Sequence, residues 1–184
     1  MAETPSSMLA LGTKASHFKL MDTVSGQQLS LSNIKGSKGT LIAFICNHCP
    51  FVIHVNNRLV MLANQYQQLG IQFIAISSND IENYPQDAPD LMKKQAEQLC
   101  YPFPYLYDED QSVAKSYKAA CTPDFFLFDD ELHLVYRGQM DDSRPSNGME
   151  CSGKDISEAF DSLLNHRPIN PNQKPSIGCN IKWK

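Results

Sequence analysis

Cys46-Asn47-His48-Cys49-Pro50 is the segment of this chain whose residue types and spacing could do chemistry. Two cysteines separated by two residues can cycle between a dithiol and a disulfide. The thiolate is the reactive form, and both CxxC spacing and a helix N-terminus lower the thiol pKa. The apolar run Leu41-Ile42-Ala43-Phe44-Ile45 ahead of the motif reads as a buried strand. After Pro50, apolar positions at Val52, Val55, Leu59, Leu62 and Ala63 read as one face of a helix. The motif therefore sits where a strand hands over to a helix, and backbone N–H groups and the helix dipole there favour an anion. The expectation is an accessible, electropositive ledge on which Cys46 and Cys49 can lose a proton and bond to each other.

Two other readings compete with a redox pair. A structural zinc site needs four ligands. The chain has no second CxxC, and its histidines (17, 48, 54, 133 and 166) show no HxxxH spacing, so no metal is expected. The second alternative is a pair of inert core thiols, since free cysteine is often a small buried hydrophobe. The polar residues Asn47 and His48 between the sulfurs argue against it.

Other residues join this candidate site. A cationic His48 would lower a neighbouring thiol pKa and make a disulfide more oxidising; the plain alternative is a solvent-exposed loop histidine. His54 reads as an ordinary helix residue. Thr122-Pro123 directly precedes the apolar run Phe125–Phe128. An X–Pro bond is the one place where cis is cheap. The company of the CxxC favours a cis bond at Pro123, which would turn the backbone of Thr122 toward the sulfurs; otherwise Pro123 simply starts a strand. Asp80 and Asp124 read as loop acids that could touch the site. Cys121 reads equally as packing or redox. Cys179, in Ile177-Gly178-Cys179-Asn180-Ile181-Lys182-Trp183, is either a structural anchor or an extra resolving thiol on a tail that folds back. Cys100 and Cys151 read as bystanders.

These residues need a scaffold. The chain has 184 residues and is 42% hydrophobic, enough for one domain with a core that needs no disulfide staples. Its net charge of −4, without a basic cluster, argues against nucleic acid as a partner. No apolar run approaches the ~20 residues of a membrane span, and Met1–Lys14 lacks a signal-peptide pattern, so the expected compartment is the cytoplasm. The expected organisation is a loose arm over 1–15, a domain over 16–167 and a tail over 168–184 carrying Cys179.

Phe18–Met21 and Gln28–Leu31 flank Ser25-Gly26 as a hairpin. Thr40–Ile45 is the first buried strand, residues 51–69 form a helix ended by Gly70, and Ile71–Ser77 is the second buried strand. Pro89 opens a helix running to about Cys100. Tyr105–Tyr107 is a short strand and Gln111–Ala119 a short helix. Phe125–Phe128 and Leu132–Arg137 form an antiparallel hairpin turning at Asp129 and Asp130. Gly138–Gly153 is a polar loop, and Asp155–Asn165 is the last helix. This order implies an α/β fold with a mixed sheet whose first strands are parallel and last two antiparallel.

The segments Phe44–Pro50, Ile71–Ser77, Cys121–Asp129, Leu134–Gly138 and Ile177–Trp183 together resemble the thioredoxin superfamily, and within it the peroxiredoxin-like branch (alkyl hydroperoxide reductase and thiol-specific antioxidant type). The resemblance covers residues 15–184. It implies a thioredoxin-like fold with a mixed central sheet flanked by helices on both faces and an N-terminal hairpin. It implies a thiol-dependent oxidoreductase without an organic cofactor, acting on peroxides or disulfides and re-reduced by a thiol protein or small thiol; a homodimer is left open. On the thioredoxin pattern Cys46 attacks and Cys49 resolves. On the peroxiredoxin pattern Cys49-Pro50 is the peroxidatic position, Cys46 stands where a threonine is usual, and an arginine activates the thiol, with Arg58 and Arg137 as candidates. The resemblance does not choose between them. Its non-enzyme alternative is a copper-handling protein of the same fold, with His133 as the distal ligand.

Overall fold

The computed structural model describes residues 3–184. In chain order the elements are β1 (Glu3–Pro5), β2 (Lys19–Asp22), β3 (Gln28–Ser30), α1 (Leu31–Ile34), β4 (Gly39–Phe44), α2 (Pro50–Tyr66), β5 (Ile71–Ser77), α3 (Pro89–Gln98), β6 (Tyr105–Tyr107), α4 (Ser112–Ser116), β7 (Cys121–Thr122), β8 (Asp124–Asp129), β9 (Leu134–Gly138), α5 (Lys154–Leu164) and β10 (Ile177–Asn180). The central sheet has the order β3-β2-β6-β5-β4-β8-β9. β4 pairs parallel with β5 and antiparallel with β8, while β8 and β9 form the expected antiparallel hairpin.

β4 is buried at every position because it is covered on both sides. Leu41, Ala43 and Ile45 pack with Phe73, Phe125, Leu127 and the α2 residues Val52, Val55, Leu59 and Leu62. Ile42 and Phe44 point the other way, into a second cluster with Ile74, Ile76, Phe126, Phe128 and Tyr117. This period-two division explains why the strand reads as a continuous apolar run. Each fully buried aliphatic side chain contributes about 1.5–3 kcal/mol, so β4 and α2 are the best-anchored elements around the motif.

Parallel strands require a crossover, and α2 supplies the one between β4 and β5. It begins where extended Cys49 gives way to Pro50 at the first helical position. A short 3-10 turn follows it and closes at Gly70, whose φ of 100° is a conformation that glycine adopts without strain.

One expectation changes. In place of a loose arm, Glu3–Pro5 forms β1 and pairs with β10. β10 in turn pairs with β7, giving a second, three-stranded sheet in the order β1-β10-β7. The register sets Cys179 opposite Thr122 and Asn180 opposite Cys121. The tail is thus laid against the segment immediately before Pro123, and the Thr122–Pro123 peptide is cis.

Candidate functional site: a cysteine cluster beneath the C-terminal strand

Three sulfurs converge at the start of α2. Cys49 Sγ lies 2.8 Å from Cys179 Sγ and 3.1 Å from the carbonyl oxygen of Thr122. Cys46 Sγ lies 3.3 Å from Thr122 Oγ1. Thr122 therefore touches both cysteines of the motif, one through its backbone and one through its side chain. β4 and α2 bring the first pair together, while β7 and β10 bring Thr122 and Cys179.

The two motif thiols are electrostatically unlike. Cys49 is lowered to about 5, chiefly by the S–H of Cys46, with further donors in the Cys179 thiol and the backbone N–H groups of Val52 and Cys179; burial opposes them. A sulfur that receives several hydrogen bonds holds its charge more easily. Val52 is the third residue of α2, so its amide belongs to the unsatisfied donors of a helix N-terminus. Cys46 is raised well above its usual value, first by its bond to Cys49, then by burial and by the negative charge of Asp87. These surroundings favour the ionised form at Cys49 and the protonated form at Cys46.

The expected accessible, electropositive ledge is not there. Cys46, Cys49 and Cys179 are 1%, 0% and 2% exposed, because the three-stranded sheet lies over them. The fixed charge acting on Cys46 is the negative one of Asp87. Neither candidate arginine sits on the pair: Arg137 donates to the Gln173 side chain and Arg58 to the carbonyl of Cys151. The thiolate is favoured by uncharged donors instead.

Asp87, which sequence reasoning missed, organises the loop between the cysteines. It is fully buried and accepts from the Asn47 amide and the Asn79 side chain, both at 2.8 Å. His48 Nδ1 lies 2.7 Å from the same carboxylate, and the imidazole stacks on Tyr84. His48 is therefore turned to Asp87 rather than left free in solvent. The Asn47 side chain bridges the Gln86 carbonyl and the Tyr105 hydroxyl. Ligand atoms of Cys46, His48 and Asp87 lie within 4.8 Å of one another, the cluster best placed to hold a cation among the described residues. The carboxylate there is already occupied by three partners.

The remaining candidates fall away from the sulfurs. Cys121 is buried with its thiol toward the carbonyls of Pro123 and Ser176, and burial pushes its pKa up. His54 reaches from α2 to the Ser143 hydroxyl, 2.9 Å away. Asp80 is a loop acid that caps the Glu82 amide and the Asn83 side chain. His133 lies beside Asp129 and Glu131 at the far end of the β8–β9 hairpin, so the copper-ligand arrangement with His133 does not form. Asp124 is buried behind Pro123, and burial raises its carboxyl to about 7. Gly178 is the other residue that sequence reasoning passed over: a Cβ there would collide with the Thr122 carbonyl, so glycine permits the close approach of β10 to β7.

Comparison with known proteins agrees with this architecture. An uncharacterized conserved protein from Geobacillus kaustophilus is 56% identical, matches 100% of this chain and 97% of its own, and superposes with a TM-score of 0.98. A hypothetical protein from Sinorhizobium meliloti 1021 is 45% identical over 98% of both chains, with a TM-score of 0.96. Peroxidoxin BcpB from Mycobacterium tuberculosis is 17% identical over 85% of this chain and 97% of its own, with a TM-score of 0.64, a likeness of fold alone. Among curated proteins no sequence matches. The AhpC/TSA family pattern matches residues 11–137, from before the hairpin of β2 and β3 into β9, and includes the whole CxxC segment. With the thioredoxin-like sheet and the thiol pair at its switch from strand to helix, the chain belongs to the AhpC/TSA family, whose general chemistry is thiol redox.

Proposed function

We propose that this protein is a thiol-disulfide oxidoreductase in which Cys49 is the nucleophile and Cys46 the resolving thiol. The observation that carries the reading is the asymmetry of the pair: Cys49 is lowered to about 5 at the start of α2, while Cys46 beside it keeps its proton. A nucleophile near this acidity is fully ionised at neutral pH.

The Cys49 thiolate attacks one sulfur of a substrate disulfide R–S–S–R, forming Cys49–S–S–R and releasing R–S⁻. Cys46 then attacks Cys49 Sγ, closing the Cys46–Cys49 disulfide and releasing the second R–S⁻, which takes up the Cys46 proton. Two protein thiols are oxidised and one disulfide is reduced to two thiols. The largest influence raising Cys46 is its bond to Cys49, and this bond ends once Cys49 carries R–S, so Cys46 becomes more acidic when its own attack is due. A thiol reductant, protein or small molecule, returns the pair to the dithiol.

Peroxide is the second substrate class, favoured by the family match. The Cys49 thiolate would attack one oxygen of a peroxide R–O–O–H, breaking the O–O bond, releasing R–O⁻ and leaving a sulfenic acid, which Cys46 condenses to the same disulfide with loss of water. The engagement of both candidate arginines elsewhere, Arg58 with the Cys151 carbonyl and Arg137 with Gln173, favours disulfides over peroxides. Reduction of an insulin-type disulfide and consumption of peroxide, both driven by a dithiol, test the reading. The wild type is expected to accelerate the first more than the second, with Cys49→Ser inert. A wild type no faster than Cys49→Ser on either substrate contradicts it.

A further inference from the structure

The sulfur in hydrogen-bond contact with Cys49 from outside the motif belongs to Cys179, 130 residues away in sequence. Its position is built rather than incidental. Gly178 lets β10 approach the Thr122 carbonyl more closely than any side chain would allow. The register places Cys179 opposite Thr122. The Cys179 sulfur lies 2.8 Å from the Cys49 sulfur, and the Cys179 backbone N–H also faces it. Residues past β10 are tied down as well: Ile181 N–H donates to the Ala120 carbonyl and Lys182 N–H to Asn79 Oδ1, at 3.1 and 2.8 Å. β10 also occupies the backbone edge of Thr122, where an incoming chain would otherwise pair, and leaves Cys49 with no exposed surface.

We propose that Cys179 is a second resolving thiol, competing with Cys46 for the sulfur of Cys49. The inference rests on the oxidoreductase reading above and adds a partner thiol to the same nucleophile. β10 lifts from β7 to admit a small disulfide R–S–S–R. Cys49 attacks it, giving Cys49–S–S–R and R–S⁻. When β10 returns, the Cys179 sulfur attacks Cys49 Sγ, the Cys49–Cys179 bond forms, and the second R–S⁻ leaves with the proton of the Cys179 thiol. Cys46 can then attack Cys49 Sγ in turn, forming Cys46–Cys49 and returning the proton to Cys179, with no net oxidation. Cys49 is the shared sulfur of two disulfides. One lies within the motif, and the other staples β10 over the site.

The test uses the full chain and 2-hydroxyethyl disulfide as oxidant, read by intact mass and by mapping linked peptides. Cys46→Ser is expected to lose the mass of two protons and yield a peptide joining Cys49 to Cys179. Adding Cys179→Ser to it should stop the reaction at the hydroxyethylthio adduct on Cys49 and lower the intramolecular disulfide at least about tenfold. If Cys46→Ser accumulates that adduct to the same extent as the double variant, the proposal is overturned. Should the serine variant fold poorly, acid-quenched wild type supplies the second reading: a Cys49–Cys179 link at early times supports the proposal, and a Cys46–Cys49 link alone at all times overturns it. A wild type that forms neither an adduct nor a disulfide overturns the oxidoreductase reading, and this inference with it.

Discussion

Cys46 Sγ lies 3.3 Å from Thr122 Oγ1, so the first cysteine of the motif is held by the residue before the cis proline while it donates its own proton toward Cys49. The threonine hydroxyl favours the ionised form of Cys46, yet Cys49, burial and Asp87 together keep it protonated. The acidity of one thiol is therefore maintained by the retained proton of the other.

That relationship predicts which thiol titrates first. Difference ultraviolet absorbance between wild type and Cys49→Ser should show a thiolate appearing near pH 5. Cys46→Ala removes the largest influence lowering Cys49, so the same titration should move upward by one unit or more, a change of about 1.4 kcal/mol per unit. Folding stability should follow. The depressed folded value means that this contribution is full above the unfolded thiol value of 9.0, falls as pH drops, and is gone below about 5.

Asp124 carries the opposite sign. Its carboxyl is raised from 3.8 to about 7 by burial, so its contribution to stability is full below 3.8 and is lost as pH rises through 7. Across that window the slope reaches at most ~1.4 kcal/mol per pH unit for one proton. Asp124→Asn should flatten denaturant-derived stability between those two pH values and leave the variant more stable than wild type in mild alkali. An unchanged slope would show that Asp124 ionises freely in the fold.

Asp87 is predicted to be the structural anchor of the motif loop. Asp87→Ala leaves the Asn47 amide and the Asn79 side chain without their acceptor, and each stranded donor costs about 1–3 kcal/mol. Chemical denaturation should show a loss of several kcal/mol, and hydrogen exchange should quicken at Asn47 and His48. A loss under about 0.5 kcal/mol, the range of an ordinary surface change, would contradict that role.

Gly178 is predicted to control access. Gly178→Ala places a methyl group against the Thr122 carbonyl, and overpacking of this kind typically costs 1–3 kcal/mol. β10 should separate from β7, and iodoacetamide should alkylate Cys49 faster than in wild type at equal pH. Equal rates would mean that reagents reach the sulfur by a route that β10 does not guard.

The central scaffold was legible because its signals are local. The apolar run of β4, the Pro50 and Gly70 ends of the α2 segment, and the strand Ile71–Ser77 follow from neighbouring residues alone. The cover over Cys49 was not legible. β10 has four residues and pairs with a two-residue strand more than 50 positions away, and so short a stretch carries no period to read. An exposed ledge was therefore expected where the chain places a buried one. Asp87 escaped notice for the same reason: it lies 40 residues from the amide it accepts from, in a three-residue 3-10 turn. Arg137 looked suitable by type, but the hairpin turns it to Gln173.

Reversible oxidation of the wild-type dithiol is the most direct test. Treated with a small disulfide and then mapped by mass, the protein is expected to lose two protons' mass, to carry a disulfide that includes Cys49, and to regain its original mass with a thiol reductant, while Cys49→Ser keeps its mass throughout. A wild type that keeps its mass under the same oxidant, or a Cys49→Ser variant that loses the two protons equally, would contradict the account.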